Sequence, residues 1–210
     1  MNALELVTAI AHAIYVAIFV VVLWRALRHP TPAHTDMALF FGLTAVVILA
    51  TRIEVLFGAR PAWIADVVLI ALMAIPYALL RLVNDFASAR PRVIRLAEVG
   101  LLASALASIM FAGTPPPLVL LAMFTYFAVV AVYCSFAFVR EARRSRGVTR
   151  RRLESISTGS LFIGLTILLS GLTPFVGDQG DAVLNGMVQV CALASGVAYY
   201  LGFAPPAALK

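Results

Sequence analysis

Arg140-Glu141-Ala142-Arg143-Arg144-Ser145-Arg146-Gly147-Val148-Thr149-Arg150-Arg151-Arg152 carries seven arginines and stands between two long apolar runs, 117–139 and 155–176. Each run reaches the length of about 20 residues that an α-helix needs to cross a hydrocarbon layer about 30 Å thick. A short basic segment between two such runs is a cytoplasmic connection, because Lys- and Arg-rich loops are retained on that side of the membrane. Outward from it, apolar runs and connections alternate along the whole chain. Of 210 residues 62% are hydrophobic and 12% charged, against about 25% charged in a soluble domain, so lipid must be the solvent for most of this surface.

Seven spans follow, near 4–26, 36–58, 62–83, 93–112, 117–139, 155–176 and 182–203. The breaks carry turn chemistry at His29-Pro30-Thr31-Pro32, Gly58-Ala59-Arg60-Pro61, Gly113-Thr114-Pro115-Pro116-Pro117 and Gly177-Asp178-Gln179-Gly180-Asp181. Arg25 and Arg28 occupy the first connection, Arg81, Arg90, Arg92 and Arg95 the third, the seven arginines above the fifth, and Lys210 the tail. These are fourteen of the sixteen cations, with only Arg52 and Arg60 toward the other face. The asymmetry places the N-terminus outside and the C-terminus in the cytoplasm. Trp24 and Trp63 fall at opposite interfaces, where amphipathic rings sit. The expected fold is therefore an all-α integral membrane bundle of seven transmembrane helices over 1–204, followed by an exit stub at 205–210. The net charge of +6 is topological; its partners are the bilayer and its anionic headgroups, not nucleic acid, because the basic run lies on no soluble module.

Small residues four apart, expected where helices approach closely in lipid, occur at Gly100, Ser104 and Ser108, at Ser160 and Gly164, and at Ala192 and Gly196. Pro76 within the third span frees a carbonyl one turn earlier. Polar groups inside hydrocarbon are costly and mark functional positions, and those singled out gather toward the outer half: His12, Arg52, Glu54, Asp66, Asn185 and Gln189. Together they form a candidate outward-facing ligand pocket; the competing reading is that Arg52 pairs with Asp66 or Glu54 to neutralise charge. Toward the cytoplasm, Glu98 is within reach of Arg95 at three-residue spacing, and Glu154 opens the sixth helix, where the macrodipole favours an anion.

Several chemistries are set aside. A retinal Schiff base needs a lysine within the seventh helix, and the only lysine is Lys210. Haem needs paired histidines at matching depth, and His29 and His34 lie in a connection. Three scattered histidines give no metal cluster, Cys134 and Cys191 read as small apolar residues, and Ser155, Ser157 and Ser160 have no histidine in a legible motif. No cofactor, metal or catalytic residue is expected.

The run Tyr199-Tyr200-Leu201-Gly202-Phe203-Ala204-Pro205-Pro206, followed by Leu209, resembles the junction between a seven-helix membrane region and the cytoplasmic part of bacterial multidomain sensor histidine kinases with GAF or PAS modules. The resemblance covers about ten residues and otherwise rests on helix number, length and orientation. It implies an N-terminal sensory domain in the inner membrane, with signalling modules following in cis and a homodimeric assembly. It also implies a signal exit through Tyr199, Tyr200, Gly202, Pro205 and Pro206, and Pro205-Pro206 would end the helix in a semi-rigid step. The phosphoacceptor histidine and ATP-binding regions of that family have no counterpart here. The expected function is detection of an extracytoplasmic or membrane-borne signal, a small or lipophilic ligand, and its transmission to cytoplasmic modules; the alternative is a small seven-helix transporter or channel. No internal repeat favours the latter, and the middles of the first, second, third and fifth spans are mostly Val, Ile, Leu, Ala and Phe.

Overall fold

A computed structural model describes residues 3–57, 61–87, 89–112, 114–176 and 178–203, the side chains of residues 3–5, 7, 51–57, 62, 178, 179 and 181 excepted. Among the described residues the chain forms seven α-helices: α1 (Ala3–Arg28), α2 (Pro32–Phe57), α3 (Ala62–Ala87), α4 (Pro91–Met110), α5 (Pro117–Arg144), α6 (Gly147–Leu172) and α7 (Asp178–Phe203). A single 3₁₀ turn, Thr173–Phe175, follows α6. All seven helices are long and apolar enough to cross a membrane, and the chain is a multi-pass membrane protein. Pro91 and Pro117 stand at the first helical position, where a missing N–H costs nothing and the fixed φ favours the helix.

The boundaries correct the sequence reading at the basic segments. α5 runs on to Arg144 and α6 starts at Gly147, so Ser145-Arg146 alone forms the connection. Arginine is a good helix former, and its long side chain carries the charge out of hydrocarbon while the backbone stays helical. Arg143 and Arg144 in the last turn of α5, and Arg25 and Arg28 in that of α1, also complement the negative helix ends. At the other face α7 begins at Asp178, inside the segment expected to be a turn.

Helix contacts close a ring in the order α1, α2, α3, α5, α6, α7 and back to α1, while α4 packs outside it, on α3 and to a smaller extent on α5. Because α3 meets α5 directly, the intervening α4 is displaced outward. It buries only Ala97, Ser104 and Ser108 and leaves Leu96, Val99, Leu102, Leu106 and Ile109 exposed, an apolar face suited to lipid.

The small-residue rows mark close approaches, as expected in a solvent as apolar as the core itself. Gly100 lies against the ring of Tyr126, whose hydroxyl donates to the Ala97 carbonyl at 2.9 Å. At Gly164 a Cβ would stand 2.9 Å from the Ala131 Cβ and 3.6 Å from the Ala128 carbonyl oxygen, so α5 and α6 meet backbone to backbone. Gly164→Ala is expected to push them apart and destabilise the protein by about 1 kcal/mol. Thermal unfolding in detergent measures this; an unchanged midpoint would contradict the contact.

All helix ends bearing the arginine-rich connections lie together, and polar contacts tie them. Arg81 (α3) holds Asp36 (α2) through Nη2–Oδ1 at 2.8 Å and Nε–Oδ2 at 3.3 Å. Arg25 (α1) donates to the Phe203 carbonyl at 3.3 Å, and Arg152 (α6) to the Gly202 carbonyl at 2.8 Å, so two cations cap the C-terminus of α7. Glu98 accepts a hydrogen bond from Tyr77 at 3.3 Å rather than pairing with Arg95, because α4 packs on α3 here. Glu154 lies in the second turn of α6 and pairs with Arg150 at 2.7 Å; with the helix starting at Gly147 it is no terminal anion.

Candidate functional site

Each of the six ring helices contributes to one central cavity of about 180 Å³, and α4 does not. α1 brings Ala11, His12 and Tyr15; α2 brings Thr44, Val47 and Ile48; α3 brings Leu72 and Ile75. The wall is completed by Phe127 (α5), Ile163, Thr166 and Ile167 (α6) and Gln189 and Ala192 (α7). Within a helix these residues recur at three- or four-residue spacing, the period that keeps one face toward the ring interior. Among the described residues the wall is mainly aliphatic, with five polar side chains and no carboxylate, arginine or lysine.

Two of the sequence-predicted residues, His12 and Gln189, meet at this cavity. Asp66 does not line it; its Oδ1 is buried with no hydrogen-bond partner among the described residues. Asn185 is exposed on α7. The side chains of Arg52 and Glu54 lie outside the described residues, and so does any pairing between Arg52 and these carboxylates. Tyr15, Thr44 and Thr166 were missed by sequence reasoning, which weighed charge above hydroxyls; their signal is the helical spacing from His12, Ile48 and Ile163.

From the cavity a chain of contacts runs toward the basic end. Tyr15 donates to Ser195 Oγ at 2.9 Å, and Ser195 in turn donates to the Gly159 carbonyl at 2.8 Å. One turn further along α7, Tyr199 packs over Gly159, where a Cβ would come within 2.9 Å of its ring. The Tyr199 hydroxyl donates to Ser160 Oγ at 3.2 Å, and Ser160 to the Ile156 carbonyl at 2.8 Å. Ser135 and Ser157 join α5 to α6 at 2.9 Å, with Ser157 also within 2.9 Å of the Ser135 carbonyl. The polar groups are thus not confined to the outer half; this serine network lies between the cavity and the basic end.

Below the cavity the ring interior is filled by aromatic side chains. Phe40 and Phe41 meet Tyr199 edge-on at centroid distances of 5.2 and 5.9 Å, and Phe203 meets Phe41 at 5.3 Å and stacks on Tyr199 at 5.8 Å. All four are at most 1% exposed. Of the expected exit residues, Tyr199 and Gly202 are therefore packed inside, Tyr200 faces outward, and Pro205 and Pro206 lie outside the described residues.

No protein-family model matches the chain, and no curated protein or solved structure matches it either.

Proposed function

We propose that this seven-helix bundle is a sensory domain of the bacterial inner membrane, N-terminus outside, that detects a small signal and passes it to cytoplasmic modules in cis. The observation that carries the reading is the cavity together with its floor: six helices converge on one small site, and buried aromatic rings fill the ring interior on the side facing the basic end. Such a site can hold a molecule without offering it a polar way through. The resemblance of the run Tyr199 to Pro206 to a sensor-kinase junction supports the same reading.

In this account occupancy biases two arrangements of the bundle. Tyr15 belongs to the cavity wall and is hydrogen-bonded to α7 through Ser195, which is bonded to α6. Movement there acts on Tyr199 and then on the α7 terminus held by Arg25 and Arg152. Helix displacements of about 1–2 Å suffice for switches of this kind.

The test is flux. Proteoliposomes containing the purified chain are expected to be no more permeable to protons, sodium or glucose than empty vesicles; chain-dependent uptake of any of them establishes the transporter reading instead.

A further inference from the structure

We infer that the central cavity takes a neutral molecule the size of a single aromatic ring that donates a hydrogen bond, such as a phenol or a short alcohol. This rests on reading the cavity as a ligand site. A dry cavity of about 150 Å³ lined by aliphatic groups holds a benzene ring, so the 180 Å³ here sets a ligand of roughly six to eight non-hydrogen atoms.

Charge is selected against from both sides. Among the described residues the wall bears no carboxylate to receive an ammonium and no arginine or lysine to receive an anion, and a buried unpaired charge is strongly disfavoured.

The polarity of the hydrogen bonding is set by what the wall hydroxyls already do. Tyr15 has given its proton to Ser195 at 2.9 Å, Thr44 to the Phe40 carbonyl at 3.0 Å, and Thr166 to the Phe162 carbonyl at 2.8 Å. A hydroxyl that has spent its only proton can still accept. Leu72, also on the wall, has a carbonyl whose helical donor would be the residue at 76, and Pro76 has no N–H. Four acceptors thus belong to wall residues, with the Gln189 carboxamide and the His12 imidazole adding groups that both donate and accept. A ligand hydroxyl satisfies this set. An isosteric methyl group leaves it unsatisfied, and a ligand that only accepts has the Gln189 carboxamide and the His12 ring as the donors among the described wall side chains.

The measurement is saturable binding of 4-fluorophenol and 4-fluorotoluene, followed by fluorine NMR with the protein in nanodiscs and corrected with empty nanodiscs. The pair differs only by hydroxyl against methyl. The phenol is expected to bind about tenfold more tightly, the ratio corresponding to one unmet hydrogen bond of about 1.4 kcal/mol. Thr44→Val with Thr166→Val keeps the cavity volume and removes two acceptors, and is expected to reduce that ratio severalfold while leaving fluorotoluene binding at least as strong. Ala192→Phe, which fills the cavity from α7, is expected to abolish binding of both. Equal affinities in the unaltered protein, a ratio unchanged in the double valine variant, or binding that survives Ala192→Phe would each overturn the assignment. Chain-dependent solute flux would overturn the sensory reading and leave the hydroxyl preference standing, so the two failures are distinguishable.

Discussion

Arg81→Ala is expected to lower the stability of the bundle by about 2–3 kcal/mol, which for a chain of this size corresponds to a fall of roughly 5–10 °C in Tm. Asp36 is 4% exposed and receives two nitrogens of Arg81 in a fork, the geometry in which Arg–carboxylate pairs are strongest. Removing one partner of a fully buried pair costs about 3–5 kcal/mol because the other is left uncompensated. The figure is discounted because the Arg81 side chain is itself 49% exposed, so water solvates part of the pair. The control is the double variant Asp36→Asn with Arg81→Ala, which removes the stranded charge and is expected to recover more than half of the loss. Thermal unfolding of both in the same detergent decides the matter. Equal midpoints for the single and double variants would mean that the ion pair does not hold α2 to α3.

Tyr199→Ala is expected to cost about 2–4 kcal/mol. Hydrocarbon solvates a tyrosine ring nearly as well as a protein core does, so the transfer contribution that dominates in soluble proteins is small here. What remains is packing: the ring touches Phe40, Phe41 and Phe203, and its loss opens a cavity between α2, α6 and α7 worth about 24 cal/mol per Å³. Tyr199→Phe keeps the ring and removes only the hydrogen bond to Ser160, at about 1 kcal/mol. The ratio between the two variants therefore separates packing from hydrogen bonding. If both lose the same stability in thermal unfolding, the hydroxyl and not the aromatic cluster secures this region.

Much of the architecture is legible in the sequence, because span length and the alternation of arginine-rich connections are one-dimensional signals. Helix number follows from them, and the close-packed rows at Gly100, Ser160–Gly164 and Gly196 from the four-residue spacing of small residues. The course of the basic segments is not so legible. Arginine signals a membrane boundary strongly but does not break a helix, so the segment 140–152 reads as a loop and folds as two helix ends. Likewise Glu154 looks terminal only if α6 starts late.

The site was half legible. His12 and Gln189 stand out because ionisable and amide groups are rare in hydrocarbon. Tyr15, Thr44 and Thr166 do not stand out, since hydroxyls can be satisfied by their own helix or a neighbour. Which faces meet depends on the ring order, and the direct contact of α3 with α5 cannot be deduced from chain order, which would pair α3 with α4 and α4 with α5. The pair Asp36–Arg81 was within reach: both fall at the same membrane face by topology, one at the start of α2 and one near the end of α3.

The most direct test of the central claim is a distance between the ends of α7 and α1, measured by pulsed electron resonance between spin labels at Tyr200→Cys and Arg28→Cys. Both positions are exposed, and Cys134 and Cys191 are replaced by alanine to leave only the labels. The cavity is filled from α2 by Val47→Phe, which stands in for an occupant while leaving every residue of α6 and α7 unaltered. If cavity occupancy is transmitted through Tyr15, Ser195 and Tyr199, filling it shifts the label distance by about 1–2 Å and Tyr15→Phe removes that shift. A distance distribution unchanged by Val47→Phe, in protein that remains folded, would contradict the coupling of cavity to exit on which the sensory account depends.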